Sequence, residues 1–471
     1  MRLYNTLTRR LEPLKPLKPP TVSLYTCGPT VYDHVHIGNL RTHIFEDTLR
    51  RALKLGGYKL KHVMNITDVD DKTIKRSREQ YPKDGPRAAL RKLTNKYERI
   101  FYKDAQATGI DLADAVIVKA TGHINDMQKI IKRLKQKGVA YVTDDGVYFS
   151  LQTYQSRNRY GLLAGRRRLV GKSRGRIAED EYDKEQATDF ALWKANKAGE
   201  PSWPFKINHL QMAGRPGWHI ECSVMSVKYL GQPFDIHTGG VDLIFPHHEN
   251  EIAQSTGAFG KPLANNFVHG EHLLVNGRKM SKRWRNFYVL DDLIKRGFQP
   301  LAFRLLVLQA DYRSQLNFTW ESLAGAQNFL QSLYGLADRQ FQTQVSKGNV
   351  RLKKQLTVAK KRMLAALQHN LDTPQALSEL GKLADFMAIR PLQQSELLSF
   401  QEALEFFDQA FGLNLRIRKD ISTSHKRLIF ERERLRQERE FAQADRIRRR
   451  LHKDGIAIED TSFGPLWHRL L

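Results

Sequence analysis

The arrangement that most restricts the fold lies in the first 66 residues. The run Val22 to Thr26 reads as a buried strand, and Cys27-Gly28-Pro29 ends it with turn chemistry. A helix is expected from about Gly38 to Leu55, because Leu40, Ile44, Leu49 and Leu53 recur near helical spacing and Gly56-Gly57 supplies a stop. Lys59 to Ile66 then reads as a second strand. Strand, helix and strand at this spacing form a βαβ unit, which requires a crossover and therefore a parallel sheet.

Later segments fit one α/β domain with an interruption. His123 to Lys137 has helical period, Val139 to Phe149 reads as a hairpin, and Gly165 to Arg176 is a basic, glycine-punctuated loop. Strand, turn and helix signals return at Phe234 to His237, Gly239-Gly240 and Pro246 to Thr256. From about residue 300 strand signals almost vanish, and the periodic stretches 301–311, 322–340, 351–370, 375–388 and 399–411 predict a helical bundle. The tail from Ser424 to Lys453 is a charge-laced helical pair with a short β-like end at Ile456 to Trp467.

Composition narrows the function classes. The 471 residues exceed one ordinary core, and 41% hydrophobic content excludes wholesale disorder. No apolar run approaches the ~18 residues of a spanning helix, so no membrane role is expected. Two cysteines cannot staple a scaffold of this size and fit a reducing cytoplasm. The start has no apolar segment or small-residue cleavage site, so neither a secretory signal nor a removable leader is expected before the first strand. A net charge of +27 fits a polyanionic partner, nucleic acid above all, ahead of the competing reading of a basic proteome.

Several residues could carry chemistry. His36-Ile37-Gly38-Asn39 opens the first helix, where unpaired N–H groups and partial positive charge suit a phosphate chain. Taken alone it reads as an ordinary helix start. Lys279-Met280-Ser281-Lys282 could close two ammonium groups over a triphosphate, although alone it is a solvated basic loop. His247 and Glu251 stand i, i+4 on a helix that Pro246 can start; with Cys27 and Cys222 they would make a tetrahedral Zn²⁺ set. The competing reading is a pair of small buried thiols and a surface His/Glu pair. The run Asn65 to Asp71 places three carboxylates and Thr67 either at the ligand edge of the sheet or at a helix N-cap. His237, Gly239, Gly240 and Asp242 repeat that geometry, with Asp242 able to take a ribose hydroxyl. Arg432 to Lys453 reads as a salt-bridged solvated face, with Trp467 available to stack on a base.

Together these residues resemble the class I aminoacyl-tRNA synthetases, and within them the cysteinyl-tRNA synthetase family. His36-Ile-Gly-Asn39 and Lys279-Met-Ser-Lys282 are similar to the two class signatures. Denser likeness comes from Tyr25 to Asp33, Asn65 to Lys72, Gly214 to Ser223 and His237 to Glu251, and extends to Phe441 to Asp445 and Gly455 to Thr461. The resemblance implies a Rossmann-type parallel-sheet catalytic domain with an insertion, then an α-helical bundle and a small C-terminal α+β domain. The boundaries expected are 1–117 and 196–256 for the two catalytic halves, 118–195 for the insertion, 257–310 for the signature-loop and stem-contact region, 311–412 for the bundle and 420–471 for the C-terminal domain.

The same resemblance implies one Zn²⁺ on Cys27, Cys222, His247 and Glu251, selecting the substrate thiol. It places Gly28, Thr67, Trp218 and His237 around L-cysteine, and Gly38, Gly240, Asp242 and Lys282 around ATP, which Mg²⁺ accompanies. His36, Asn39, Lys279 and Lys282 would serve adenylate formation, with cysteine tRNA as acceptor. It also favours a monomer. The fifth signature position, commonly Ser, is Arg283 here; Gly122 replaces a frequent Glu, and the loop Arg166 to Arg176 is unusually basic. A related ligase joining cysteine to an amino sugar would lack an anticodon region, against which residues 311–471 argue. A non-catalytic RNA-binding protein is disfavoured by the intact signature residues and ligand set. Lys72 to Lys75 only loosely resembles the segment tied to persulfide formation in this family, and that activity stays open.

Overall fold

The computed structural model describes residues 1–165, 176–177, 189–207, 209–280, 286–344 and 350–471. Lys282 and Arg283 lie outside these residues, as does nearly all of the basic loop after Gly165. The expected parallel sheet is present. Its strands are β1 (Thr21–Thr26), β2 (Lys59–Ile66), β3 (Ala115–Lys119), β4 (Phe234–Gly240) and β5 (Ala264–Gly270). They lie in the order β5-β4-β1-β2-β3, all parallel, with register Thr238↔Thr26 and Thr26↔Met64 at the centre. Strand order reverses between β1 and β4, and such a reversal opens a crevice at the C-terminal edge.

Helix α1 (Ile37–Leu55) connects β1 to β2. Its N-cap is His36, whose side chain accepts from the Asn39 N–H, and the chain leaves it at Gly56 and Gly57, the latter at φ +84°. Leu40, Ile44, Leu49 and Leu53 are fully buried. Each contributes about 1.5–3 kcal/mol by leaving water. The helix is buried on other sides too, because α4 (Pro300–Leu308), α6 (Val350–Gln368) and α8 (Leu397–Phe411) of the bundle pack against it. Between α4 and α6 runs α5 (Trp320–Asp338), and between α6 and α8 runs α7 (Thr373–Met387).

A second sheet forms the insertion, antiparallel over Ala140–Thr143, Gly146–Phe149, Asp189–Ala195 and Gly214–Pro216, with the short strand Arg176–Ile177 added parallel to Asp189–Ala195. Because Gly214–Pro216 pairs with Asp189–Ala195, the insertion's sheet runs past residue 195, the expected boundary. The parallel sheet resumes after α2 (Trp218–Leu230), and α3 (Glu249–Phe259) follows β4. An N-terminal hairpin of Arg2–Asn5 and Arg10–Pro13 was not foreseen; these short strands lack enough alternation to be read. The chain ends in α9 (Thr423–Gln437), α10 (Phe441–Lys453), β6 (Ile456–Thr461) and β7 (Gly464–Arg469).

Two expectations in the tail need correcting. Trp467 is 4% exposed with its ring stacked on Phe341, so it is core and unavailable to a base. Arg432 is not a solvated charge: it is fully buried and holds Asp460 through two bonds of 2.7 and 2.8 Å. No described helix is long and apolar enough to cross a membrane.

One buried carboxylate ties sheet to bundle. Asp47 of α1 accepts from Arg50 Nη2 at 2.9 Å, Arg51 Nε at 2.7 Å and Arg304 Nη2 at 2.6 Å. Arg304 and Arg51 also donate to the carbonyls of Phe411 and Asp408 at the end of α8. Burial alone would raise the Asp47 pKa, but Arg304, Arg51 and Arg50 hold it far below the ordinary carboxylate range. Its stabilisation is therefore complete above the unfolded-state value of about 3.9 and is lost as pH falls towards the depressed folded value. Asp47→Asn should cost about 3–5 kcal/mol in urea unfolding at neutral pH, because buried guanidinium charge is left without its counter-ion.

Candidate active site and metal centre

The crevice at the β1–β4 reversal is a cleft of about 340 Å³, whose walls include Cys27, Gly28, His36, Gly38, Asn39, Trp218, Gly240, Asp242 and Lys279. One wall is the start of α1. A Cβ on Gly38 would stand 2.5 Å from Met280 Cε and 3.0 Å from His36 Nδ1, so glycine lets the signature strand approach the helix start. Lys279, exposed on the short strand Arg278–Lys279, enters the cleft from that side. On the floor, a Cβ at Gly240 would meet Asp242 Oδ1 at 2.4 Å, and one at Gly28 would sit 1.7 Å from the Asn65 carbonyl oxygen. These glycines bring two strand ends together where a flat ligand can lie against backbone.

At the inner end of the cleft, three elements deliver a donor cluster. Cys27 follows β1, Cys222 lies on α2, and His247 and Glu251 stand at the start of α3. One ligand atom from each lies within 4.8 Å of every other. Cys27 Sγ is 4.0 Å from Cys222 Sγ, and both cysteines are free thiols; His247 Nε2 is 2.9 Å from Glu251 Oε1. The helix does not start at Pro246 as expected. Pro246 excludes the α conformation from the residue before it, so Phe245 is extended (φ −140°, ψ 132°) and a wide turn over Ile244–His248 precedes α3. The turn nevertheless leaves His247 and Glu251 facing the same point.

Neighbouring groups aim these donors. His219 Nδ1 lies 3.0 Å from His247 Nδ1, leaving Nε2 towards the cluster, and Trp218 stacks on the His247 ring at 4.2 Å. His237 Nε2 holds Glu251 Oε2 at 2.7 Å and so turns Oε1 inward. His248 bridges Cys27 Sγ at 3.4 Å and His269 at 2.8 Å. Cys222 is lowered to about 6, chiefly by its hydrogen bond with Cys27 and then by His247; burial pushes the Cys27 thiol up. Burial works against ionised Glu251, yet His237 and His247 bring it down to about 2.

This donor set fits a metal. Tetrahedral zinc, with bonds of about 2.3 Å to sulfur and about 2.0–2.1 Å to nitrogen and oxygen, needs four donors converging on one small volume. Two thiols, an imidazole and an ionised carboxylate do so here, held from behind by histidines and Trp218. An overlapping set of Cys27, His237, His248 and Glu251 also converges, but it uses one thiol and would draw His237 from the carboxylate it orients.

The remaining residues from the sequence fall in different places. Thr67 is buried, and its hydroxyl donates to Glu221 Oε2 at 3.0 Å, behind the cleft wall; His237 is likewise fully buried behind Glu251. Of the two readings of the acidic run, the N-cap reading holds. Asp70 caps the helix Asp71–Gln80 with Thr73 in a reciprocal box, Asp68 accepts from Thr121, and Asp71 pairs with Lys194 and Arg215 of the insertion. Sequence reasoning missed Tyr32, Asp33, His34, Thr42, Lys72 and Glu271 as cleft walls, although four of them flank His36-Ile-Gly-Asn39. It also gave no role to His219, the neighbour of Trp218.

A family model described as the class I (C) tRNA synthetase catalytic domain matches residues 13–328. A curated cysteine–tRNA ligase of Brachyspira hyodysenteriae is 41% identical over 99% of this chain and 98% of its own. One from Koribacter versatilis is 40% identical over 100% and 99%. Among solved structures, methionyl-tRNA synthetase of Mycobacterium tuberculosis with methionyl-adenylate has a TM-score of 0.60 at 13% identity, covering 84% of this chain and 92% of that one. Leucyl-tRNA synthetase of Agrobacterium radiobacter, in a ternary complex with tRNA, has a TM-score of 0.59 at 11% identity, covering 85% of each. At such identities the two structures show a shared fold.

Cys222→Ser should abolish metal retention, measured as metal content after dialysis, because one of the four converging donors is lost. His237→Ala, which frees the second carboxylate oxygen, should weaken metal binding about 10–100-fold. Unchanged metal content in Cys222→Ser would overturn the ligand set.

Proposed function

The chain belongs to the cysteine–tRNA ligase family of class I aminoacyl-tRNA synthetases, and on that premise we propose how its residues divide the ATP-dependent joining of cysteine to tRNA. The observation that carries the proposal is the shape of the cleft. Cys27 and Trp218 reach it from the donor cluster, while His36, Gly38, Asn39 and Lys279 reach it from the helix start and signature strand. A small amino acid seated beside the cluster therefore presents its carboxylate towards the phosphates of an ATP lying along the same crevice.

Cys27, Cys222, His247 and Glu251 would hold Zn²⁺, which when bound accepts a soft thiolate in preference to a hydroxyl and so separates cysteine from serine. Gly28 and Trp218 shape the amino-acid pocket, and Thr67 and His237 support it from behind through Glu221 and Glu251. ATP enters with Mg²⁺. His36 and Asn39 hold its phosphates at the helix N-terminus, Gly38 and Gly240 allow close approach, and Asp242 accepts from a ribose hydroxyl. The cysteine carboxylate attacks the α-phosphorus, the bond from that phosphorus to the α,β-bridging oxygen breaks, and pyrophosphate departs. Lys279 and Lys282 neutralise charge on the departing oxygens, with the rest of the catalysis being positioning. A hydroxyl of the tRNA's terminal adenosine then attacks the adenylate carbonyl and AMP leaves. The insertion guides the acceptor end, and the bundle with the C-terminal unit meets the anticodon. Two free thiols at the site suit a reducing cytoplasm, and we place the enzyme there as a monomer.

Charging of purified cysteine tRNA, with cysteine and serine compared in zinc-replete buffer, tests the specificity assignment. Cysteine-only charging is expected; equal discrimination by zinc-free enzyme would sink the role of the metal. Lys279→Ala should slow cysteine-dependent pyrophosphate exchange about 10²-fold with the KM for cysteine little changed. A loss confined to cysteine affinity would remove Lys279 from the transition state.

A further inference from the structure

The C-terminal unit of α9, α10, β6 and β7 meets the bundle through the Trp467–Phe341 stack, a Gln344 bond to the Phe463 carbonyl and, most regularly, the backbone of one strand. β7 pairs with β6 along one edge. On its other edge, Trp467 N–H donates to Gln342 Oε1 at 2.8 Å, and Gln342 Nε2 donates to the Trp467 carbonyl at 2.8 Å. Two residues on, Arg469 N–H donates to Asp338 Oδ2 at 3.0 Å, and Gln331 Nε2 donates to the Arg469 carbonyl at 2.7 Å. Side chains of α5 and the turn after it thus occupy the places of a neighbouring strand at successive outward-facing residues.

Asp338 is the centre of this arrangement. It is fully buried and takes four donors: Arg469 N–H, Arg469 Nη2 at 2.8 Å, and Arg418 Nε and Nη2 at 2.8 and 3.1 Å. Arg418 lies on the segment between bundle and C-terminal unit, so one carboxylate fixes both the last strand and the connection leading to its unit. An apolar interface can tilt by small steps. An edge strand read at its amides can move only by breaking these bonds or by slipping about 6.8 Å, two residues.

We infer that Asp338 is a positioning residue for tRNA recognition: it sets the orientation in which the C-terminal unit meets the anticodon arm while the acceptor end occupies the cleft. This rests on the reading above that the C-terminal unit contacts the anticodon region. Two contacts on one rigid ligand reinforce each other only when their spacing matches, so a tilt here weakens tRNA binding and leaves the chemistry at the cleft intact.

The test uses full-length Asp338→Asn and Gln342→Ala with three substrates: cysteine and ATP alone, whole cysteine tRNA, and an acceptor-stem minihelix lacking the anticodon. Asp338→Asn should raise the KM for whole tRNA by about tenfold or more, with kcat within about threefold, while pyrophosphate exchange and minihelix charging stay at wild-type level. Gln342→Ala should move the same parameter by about threefold. An unchanged tRNA KM, or minihelix charging that falls by the same factor, overturns the assignment. If Asp338→Asn unfolds the chain, pyrophosphate exchange is lost, and Gln342→Ala decides by the same readouts. Failure of the underlying reading shows separately: wild-type enzyme would charge a tRNA of altered anticodon as well as the native one.

Discussion

Three guanidinium groups converge on the carboxylate of Asp47, and the relation of the catalytic sheet to the bundle depends on that convergence. The charge sits on α1, the helix whose first turn forms one wall of the cleft. Arg304 and Arg51 carry the connection to the carbonyls that end α8. A buried cluster of this kind contributes less net stability than its contacts suggest, because every member has left water. Its effect is geometric: the arginines fit only where carbonyls and carboxylate stand at the right angles, so the helix cannot rotate to repack its apolar face alone. Arg41, higher on the same helix, repeats the device by donating to the carbonyls of His272 and Ser314, which join the cleft wall to the bundle.

The donor cluster depends on a similar division of labour. Few of its properties belong to the four ligands themselves. Trp218 and His219 hold one ring, His237 holds one carboxylate oxygen, and His248 stands against one thiol. Burial opposes charge at Cys222, His247 and Glu251, yet partners within hydrogen-bond reach hold each of them towards its ionised form, whereas the Cys27 thiol is pushed up. The cleft thus has a converging donor cluster at one end and the ammonium of Lys279 at the other, in one continuous space.

Much of the fold was legible because periodicity changes where the structure changes. The strand–helix–strand unit at 22–66 and the helices after residue 300 follow directly from spacing and glycine stops. What escaped depended on contacts between distant segments. The strand Gly214–Pro216 is only three residues long and exists because Asp189–Ala195 offers it a partner. The burial of Trp467 follows from side chains of the turn after α5, more than 120 residues earlier. The acidic run at Asp68 to Asp71 was ambiguous because capping and ligand binding ask for the same residues, and only the partners distinguish them. The four metal-binding candidates have no local spacing that signals them. Resemblance reached them, whereas their supporting histidines could be assigned only once the wide turn at Pro246 was in view.

That dispersal bears on how the molecule is made. Roughly 220 residues separate Cys27 from Glu251. At about 5–20 residues per second, synthesis needs on the order of 10–45 s to bring the last donor out after the first. Throughout that interval the nascent chain offers a thiol without the imidazole and carboxylate that complete its site. The four-donor cluster is therefore complete only after the insertion has been synthesised, and a chain that stops before Glu251 lacks part of it.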